Sequence, residues 1–433
     1  MLKLEGKIRN RSAQIGIVGL GYVGLPLAMA FSEAGFKVLG FDVQQKRADW
    51  VNQGHSYIAD VSAERLQTAI AHNLKATTEQ SRLKETDAVC ICVPTPLTKT
   101  KDPDLSYVIS ESEEIAKYLR PGQLIVLEST TYPGTTREVV LPILERSGLK
   151  AGADFYLAFS PERVDPGNKD YSIRNTPKIV GGIDLPSTKL AKLLYQQVAE
   201  SVIPVSCPEV AEMTKVFENV FRSVNIALVN ELAQLCERMG ISVWEVIAAA
   251  TTKPFGYMPF YPGPGIGGHC IPLDPYYLAN KAREHDFHTR FIELAAEINE
   301  GMPYHVTSRI TEALNARGRS LNDARVLVLG VAYKKDVEDV RESPSLKLIE
   351  LLQDKGATVK YNDPYIPKIR LPRGELTSVK LTKQNLSSAD CVVIATAHSC
   401  YNMDEVTTQA KLVFDARGAT RGLKGDNIVR LGE

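Results

Sequence analysis

Gly19-Leu20-Gly21-Tyr22-Val23-Gly24 lies between a short apolar run, Gln14 to Gly19, and a helical pattern, Leu25 to Ala34. Few segments restrict a fold as tightly. The first glycine makes a sharp turn, the second admits a pyrophosphate to the backbone, and the third lets helix pack on strand. Free N–H groups and the positive end of the helix dipole then face the anion. Gly35 closes the helix, Lys37 to Phe41 reads as the next strand, and Asp42 follows it. An acid about 20 residues beyond such glycines is placed for a ribose 2′-hydroxyl and repels a 2′-phosphate, so NAD is expected over NADP. Arg47 weakens that preference or lies along the adenine.

Further apolar runs, Asp87 to Val93, Gln123 to Leu127, Phe155 to Phe159 and Pro177 to Gly181, alternate with helical patterns. This is the rhythm of a doubly wound parallel sheet, whose ligands gather at the carboxyl ends of its strands. Three ends carry unusual residues: Val93-Pro94-Thr95-Pro96, Glu128-Ser129-Thr130-Thr131-Tyr132-Pro133-Gly134 and Ser160-Pro161-Glu162-Arg163. Each alone reads as an ordinary turn, but three on one edge favour a site. Pro208 to Met239 then keeps helical spacing up to Gly240. Within it Lys215 and Asn219 share a face, among Phe217, Val220, Phe221 and Val224, so burial and partners are expected for both. Phe291 to Arg317 is a second long helical pattern, interrupted at Gly301-Met302-Pro303, where proline is expected to kink or split the helix. It is expected to connect the two halves of the chain and offers a subunit contact.

Arg325 to Gly330 repeats the strand-to-glycine pattern, Ser343-Pro344 starts a helix, Gly356 ends it, and Asp363 follows a strand from Thr358 to Tyr361. The interval from Gly356 to Asp363 equals that from Gly35 to Asp42, so the two halves read as copies of one unit. The second copy lacks the three-glycine turn and has Tyr333-Lys334-Lys335-Asp336 there; Asp390 to Ala395 and Leu412 to Phe414 continue it, ending in Asp415-Ala416-Arg417. Lys334 and Arg417 suit a phosphorylated ligand as point charges, though a purely structural copy is also compatible. At 433 residues the chain exceeds one ordinary core. The expected fold is α/β: two Rossmann-like doubly wound parallel-sheet domains, 1–206 and 319–433, joined by a helical middle domain, 207–318.

One loop stands outside this pattern. Gly265-Ile266-Gly267-Gly268-His269-Cys270 places a thiol after three glycines, and Asp274-Pro275 reads as the cap and first residue of a helix from Tyr276 to Arg283. A nearby helix N-terminus favours thiolate, but a packed, inert cysteine fits the loop as well. Equal numbers of basic and acidic residues, 51 each, give no reason to expect nucleic acid or an anionic membrane as partner. Seven cysteines without paired spacing argue against a disulfide framework and for a reducing, cytoplasmic setting. Neither a CxxC pair nor HExxH occurs, so no metal is expected. Lys7 to Arg11 before the uncharged run Ile15 to Phe31 imitates a secretory signal, yet four glycines and Pro26 make that run a poor apolar helix. No other run approaches the roughly 18 apolar residues of a membrane span.

Taken together these motifs resemble the UDP-glucose/GDP-mannose dehydrogenase family over nearly the whole chain. The resemblance is carried by Gly19-x-Gly21-x-x-Gly24, Val93-Pro94-Thr95-Pro96, Ser129-Thr130, Ser160-Pro161-Glu162, Lys215 with Asn219, Gly267-Gly268-His269-Cys270, Asp274, Lys334-Lys335-Asp336 and Arg341-Glu342-Ser343. The runs Ser160 to Asn168 and Pro259 to Asp274 look like the branch acting on UDP-N-acetylhexosamines, with UDP-N-acetylglucosamine as the expected substrate and UDP-N-acetylmannosamine, UDP-N-acetylgalactosamine and UDP-glucose as alternatives. The resemblance implies an NAD-dependent oxidation of a C6 alcohol to a carboxylate in a homodimer or higher homo-oligomer. It assigns Cys270 as nucleophile, Lys215 and Asn219 as donors to the reacting oxygen, Asp274 as the acid coupled to that lysine, Glu162 to acid–base work, and Thr130 to a water or cofactor contact. Tyr132 extends this turn relative to some members. NAD would be held by Gly19, Gly21, Tyr22, Val23, Gly24, Asp42, Arg47, Pro94, Thr95, Ser129 and Thr130. The UDP-sugar would meet Glu162, Arg163, Lys215, Asn219, Tyr261, Gly263, Gly265, Gly267, Lys334 and Arg417. His269 is expected to orient its loop. Two other readings remain: a single-step dehydrogenase in which Cys270 only packs, and a nucleotide-sugar-binding protein without chemistry.

Overall fold

The computed structural model describes residues 1–58, 60–98, 101–165, 168, 170–268 and 271–433. His269 and Cys270 thus lie outside the described residues. The chain divides into two compact units, Met1–Glu218 with Tyr276–Phe287, and Asn219–Pro275 with His288–Glu433.

The first unit is built on eight strands: β1 Gln14–Val18, β2 Lys37–Phe41, β3 Leu74–Thr77, β4 Ala88–Ile91, β5 Leu124–Leu127, β6 Tyr156–Phe159, β7 Lys178–Gly182 and β8 Val202–Pro204. Their order is β3-β2-β1-β4-β5-β6-β7-β8, with β6–β7 antiparallel and every other pair parallel. Alternation decides which side chain meets which layer. Ala88, Cys90, Leu124 and Val126 join one core with the helices Gly24–Glu33 and Leu185–Tyr195. Val89, Ile91, Ile125 and Leu127 join another with the helix Ser106–Tyr118. Both faces are covered, as a mostly parallel sheet of continuous apolar strands requires.

The second unit carries β9 Arg325–Leu329, β10 Thr358–Asn362, the antiparallel pair β11 Lys368–Leu371 and β12 Gly374–Thr377, β13 Cys391–Ile394, β14 Val413–Asp415 and β15 Ile428–Arg430. Five of these form an all-parallel sheet, β10-β9-β13-β14-β15. Val326 and Val328 pack with the helices Arg290–Asn315 and Pro344–Asp354, while Leu327 and Leu329 face the opposite core. Ser343 caps the second helix through the Ser345 amide. Elsewhere in this unit Val229, Ala233, Cys236, Val243, Trp244 and Ile247 form a small helical core of their own.

Of the expected kink or split at Gly301-Met302-Pro303, the split does not occur. Arg290–Asn315 is one helix with Pro303 inside it. Met302, Val306 and Ile310 are locked into the core on both sides of the proline, which offsets the lost hydrogen bond. The Asn299 carbonyl, deprived of its partner by the missing Pro303 N–H, faces the loop at Gly265. A Cβ there would stand 3.2 Å from that oxygen and 3.7 Å from Pro303 Cδ, at a φ of +129°. Only glycine fits both constraints.

The copied plan extends to hydrogen bonding. Asp42, just after β2, accepts the Leu20 amide at 3.1 Å from the turn after β1. Asp363, just after β10, accepts the Val331 and Ala332 amides at 2.7 and 3.0 Å from the turn after β9, and His398 Nε2 at 3.0 Å. Asp363→Ala would strand those two amides, the Tyr365 and Ile366 amides that its other oxygen accepts, and an imidazole. It should remove about 3 kcal/mol from the second unit, seen as a lower midpoint in thermal unfolding; an unchanged midpoint would mean that the turn is held by other contacts.

Candidate active site

In the first unit the carboxyl ends of β1, β4, β5 and β6 carry the residues singled out in the sequence. Gly24 allows the tightest approach, since a Cβ on it would lie 1.8 Å from the Gly19 carbonyl oxygen. Over Gly21 nothing would lie within 4 Å of a Cβ, so the backbone of the turn is open to a ligand. Tyr22 is 46% exposed beside it, and Val23 is half-buried. Asp42 is buried, also accepts the Gln44 amide at 2.9 Å, and has Arg47 at 3.5 Å. A carboxylate held this way keeps lone pairs for a diol. The open backbone, the helix N-terminus behind it and this acid fit a dinucleotide.

Ser129 joins the neighbouring ends, its hydroxyl donating to the Val93 carbonyl at 2.8 Å. Thr95 is buried and its carbonyl accepts the Tyr277 hydroxyl, whereas Pro94 is exposed. Thr130 is half-buried. The Thr131 and Ser160 hydroxyls are fully buried without a hydrogen-bond partner among the described residues. Such orphans are uncommon and mark a place where a ligand or water belongs. Glu212, one turn before Lys215, secures the turn from outside. Its carboxylate accepts the Gly134 amide at 2.6 Å and the Thr136 amide and hydroxyl at 2.8 and 2.6 Å. Burial pushes this carboxyl up to about 7, although the Thr136 and Gly134 donors favour the anion.

Glu162 is saturated on one side. One oxygen accepts the Arg163 and Val164 amides at 2.8 and 2.6 Å, and the other accepts Lys178 Nζ at 3.3 Å. Burial opposes its charge, but Lys178, the Val164 amide, Lys215 and the Arg163 amide together hold it below the usual carboxylate range. Lys215 is itself buried. The Arg163 guanidinium pairs with Glu218 at 2.5 Å and donates to the Pro177 carbonyl at 2.5 Å.

In the second unit Asn219 Nδ2 donates to Asp274 Oδ2 at 2.5 Å, both residues being buried. Asp274 opens the helix Asp274–Arg283 that follows the Cys270 loop in sequence. Gly263, ahead of that loop in sequence, is held by a chain of amides: its N–H donates to Asn230, which donates to Asn299, which donates to the Ser223 carbonyl. A Cβ on Gly263 would lie 2.5 Å from the Arg417 guanidinium, and one on Gly267 2.7 Å from Tyr333. Arg417 also donates to the Ala395 carbonyl at 2.8 Å, and desolvation lowers its guanidinium to about 10 despite Asp415. Tyr261 stacks on Trp244, with Arg421 5.2 and 5.6 Å from the two rings. Lys334 is half-buried in the turn after β9. Gly263, Gly265, Gly267, Tyr261 and Arg417 are thus grouped in one unit, as are the glycine turn, Asp42, Ser129 and Glu162 in the other.

Sequence reasoning missed Lys178, Glu212, Trp244, Arg421 and His398. A lysine opening the apolar strand Lys178–Gly182 was a usable signal; the others have none without their spatial partners.

Three models of one family match in order: its NAD binding domain over residues 13–199, its central domain over 209–301 and its UDP binding domain over 327–422. The chain belongs to the UDP-glucose/GDP-mannose dehydrogenase family. It is an NAD-dependent nucleotide-sugar dehydrogenase. Among its relatives, a UDP-N-acetyl-D-mannosamine dehydrogenase of Methanococcus maripaludis is 35% identical over 416 residues, 93% of this chain and 92% of the relative. A UDP-N-acetyl-D-glucosamine 6-dehydrogenase of Pseudomonas aeruginosa is 36% identical, over 90% of this chain and 91% of the relative. The solved structure of the UDP-N-acetyl-D-mannosamine enzyme of Pyrococcus horikoshii superposes with a TM-score of 0.88 at 34% identity, covering 97% of this chain and 99% of that one.

Asp42→Ala should weaken NAD binding at least tenfold, about 1.4 kcal/mol, and lower the ratio of kcat/KM for NAD over NADP. A ratio equal to wild type would remove the carboxylate from the ribose.

Proposed function

We propose that this enzyme oxidises the C6 hydroxyl of a UDP-N-acetylhexosamine to a carboxylate in two steps, with UDP-N-acetylglucosamine as substrate and Cys270 as covalent nucleophile. The observation that carries the reading is the buried Asn219–Asp274 pair at the start of the helix after the Cys270 loop. An amide with one N–H held by a carboxylate has its second N–H free for a charged oxygen. Bound NAD supplies the acceptor for one hydride in each oxidation, and in the first the C6 hydroxyl proton passes to a base, water included, as the hydride leaves. Lys215 and Asn219 place donors on the C6 oxygen as its charge grows. The Cys270 sulfur bonds to the aldehyde carbon and retains it as a thiohemiacetal, then as a thioester. In hydrolysis a water gives a proton to Glu162 while its oxygen bonds to the carbonyl carbon; the C–S bond breaks and Cys270 leaves as thiolate. Asp274 orients Asn219 and that water, and Thr130 contacts water or cofactor.

Lys334 and Arg417 neutralise phosphate, Gly263, Gly265 and Gly267 leave room for the nucleotide beside Tyr261, and Arg163 is assigned to the N-acetyl branch. We further assign NAD to residues 1–206, the nucleotide sugar to 319–433, and the subunit contact to 207–318, in a cytoplasmic homodimer. Along the helix Pro208–Met239 the exposed residues Val210, Met213, Phe217, Phe221, Leu228, Leu235 and Met239 form an apolar stripe at helical spacing that suits a second copy. Oxidation of UDP-N-acetylmannosamine is the second reading, favoured by the names of the two relatives from Methanococcus and Pyrococcus.

With UDP-N-acetylglucosamine the enzyme should form about two NADH per sugar, from one hydride in each step, and Cys270→Ser should abolish uronate formation. One NADH per sugar, or full turnover by the variant, overturns the thioester. Comparing kcat/KM across UDP-N-acetylglucosamine, UDP-N-acetylmannosamine, UDP-N-acetylgalactosamine and UDP-glucose tests the substrate. A tenfold preference for another sugar, about 1.4 kcal/mol of transition-state binding, overturns the choice. Leu228→Glu with Leu235→Glu should convert the dimer to monomer in light scattering; an unchanged mass places the contact elsewhere.

A further inference from the structure

Two buried charged side chains of the first unit, Lys178 and Glu128, meet the half-buried Glu162 across the ends of β5, β6 and β7. Lys178, 4% exposed, donates from Nζ to Glu128 Oε2 at 2.6 Å and to Glu162 Oε2 at 3.3 Å. Glu128, 1% exposed, takes the Tyr195 hydroxyl on its other oxygen, and Cys90 Sγ lies 3.6 Å from that hydroxyl. The Lys178 ammonium also sits 5.2 Å from the Tyr195 ring centre. One buried cation therefore serves two carboxylates, one buried and one partly open to water. Desolvating such a cluster opposes folding, and apolar side chains of similar volume would fold at lower cost. Stability alone does not account for it.

The geometry distinguishes the two acids. Glu162 Oε1 is filled by two amides, while Oε2 has only the longer Lys178 contact among the described residues. That oxygen keeps a lone pair for water. Glu128 has the shorter bond to Lys178 and, among the described residues, no amide donor, and so draws on the same ammonium from behind. We propose that Lys178 is a positioning residue that aims Glu162 as a carboxylate, and that Glu128 weakens this hold enough for Glu162 to take a proton from water. The proposal rests on the assignment of Glu162 to thioester hydrolysis.

The charged and titratable groups around Glu162 are Lys178 on β7, Glu128 after β5, Lys215 on the helix Pro208–Met239, Cys92 after β4 and Arg163, which is paired with Glu218. Tyr195 and Cys90 face Glu128. Burial raises Glu128 above the usual carboxylate range despite Lys178, while Glu162 lies below that range. Glu128 is raised by its burial even though it has the shorter Lys178 bond, and Glu162, against its own burial, is lowered because the Val164 amide, Lys215 and the Arg163 amide act on it together with Lys178.

Decay of the covalent enzyme–sugar adduct, followed by rapid quench and mass spectrometry across the acid-to-neutral range, tests the idea in the full-length enzyme. UDP-N-acetylglucosamine and NAD are the reagents. Wild type should slow on the acid side as Glu162 protonates, and Glu162→Gln should show no such limb. Lys178→Met should move the limb up by about one pH unit or more, and Lys178→Arg should return it toward wild type. Glu128→Gln removes the competing carboxylate and should move the limb down. A purely structural cluster would give slower decay without opposed shifts. Shifts in the same direction, or none, overturn the proposal. Should Lys178→Met fail to fold, Glu128→Gln decides by itself: a downward shift supports the proposal, and an unmoved or raised limb overturns it. A limb that persists in Glu162→Gln instead overturns the assignment of Glu162 to hydrolysis.

Discussion

A buried aspartate at the end of the second strand, reaching back to the amides of the turn after the first, holds the working edge of both sheets. Hydrogen bonds from amides to an ionised acceptor are shorter and roughly twice as strong as neutral ones. The consequence differs between the units. Asp42 ties down Leu20 and leaves the Gly21 backbone open above it. Asp363 takes two turn amides and His398, whose Nδ1 accepts the Asp336 amide at 2.9 Å. That pattern requires the proton on Nε2, and it fixes the turn containing Lys334 from below. Burial works against the Asp363 charge, but these donors hold its carboxyl below the ordinary range. One architectural unit therefore yields a backbone cradle in one copy and a braced, cationic turn in the other.

Much of this was legible without coordinates because it depends on local rules. The glycine spacing, the alternation of apolar runs with helical patterns, and the repeated interval from helix end to aspartate each report on a few adjacent residues. The strand Lys37–Phe41 and the long helix Pro208–Met239 were bounded correctly from pattern alone. Pro303 shows where local rules fail. The helix penalty of proline is real, but core contacts on both sides outweigh it, and the carbonyl that loses its donor faces Gly265, where a side chain would crowd it. His398 and Trp244 were invisible for a related reason. Their meaning lies in Asp363 and Tyr261, far away in sequence.

The candidate site divides in the same way. Residue types with an intrinsic signature, such as a thiol among glycines or a lysine and asparagine one turn apart, could be named in advance. The residues proposed to tune them could not. Glu128 stood in a strand-end motif as one more turn residue, and Lys178 as the start of an apolar strand. Only the structure brings them to one ammonium with Glu162. Sequence pattern reports which chemistry is present, whereas burial and partnership set its strength.

Glu212 carries this point further. The helical stretch beginning at Thr135 has Gly134 before it at a φ of +102°, and glycine has no side chain to cap exposed amides. The cap comes instead from another element, as Glu212 fills the role for Gly134 and Thr136 together. Its donors favour the anion and its burial the acid, which leaves the carboxyl near neutrality rather than at the ordinary carboxylate value. A cap formed within the turn would fix the helix start and nothing else. One supplied from the helix Pro208–Met239 also couples the turn holding Ser129, Thr130 and Thr131 to the helix bearing Lys215. Any displacement of that helix must either carry the turn with it or expose three buried donors. Residues about eighty positions apart are thereby held in register by a single carboxylate.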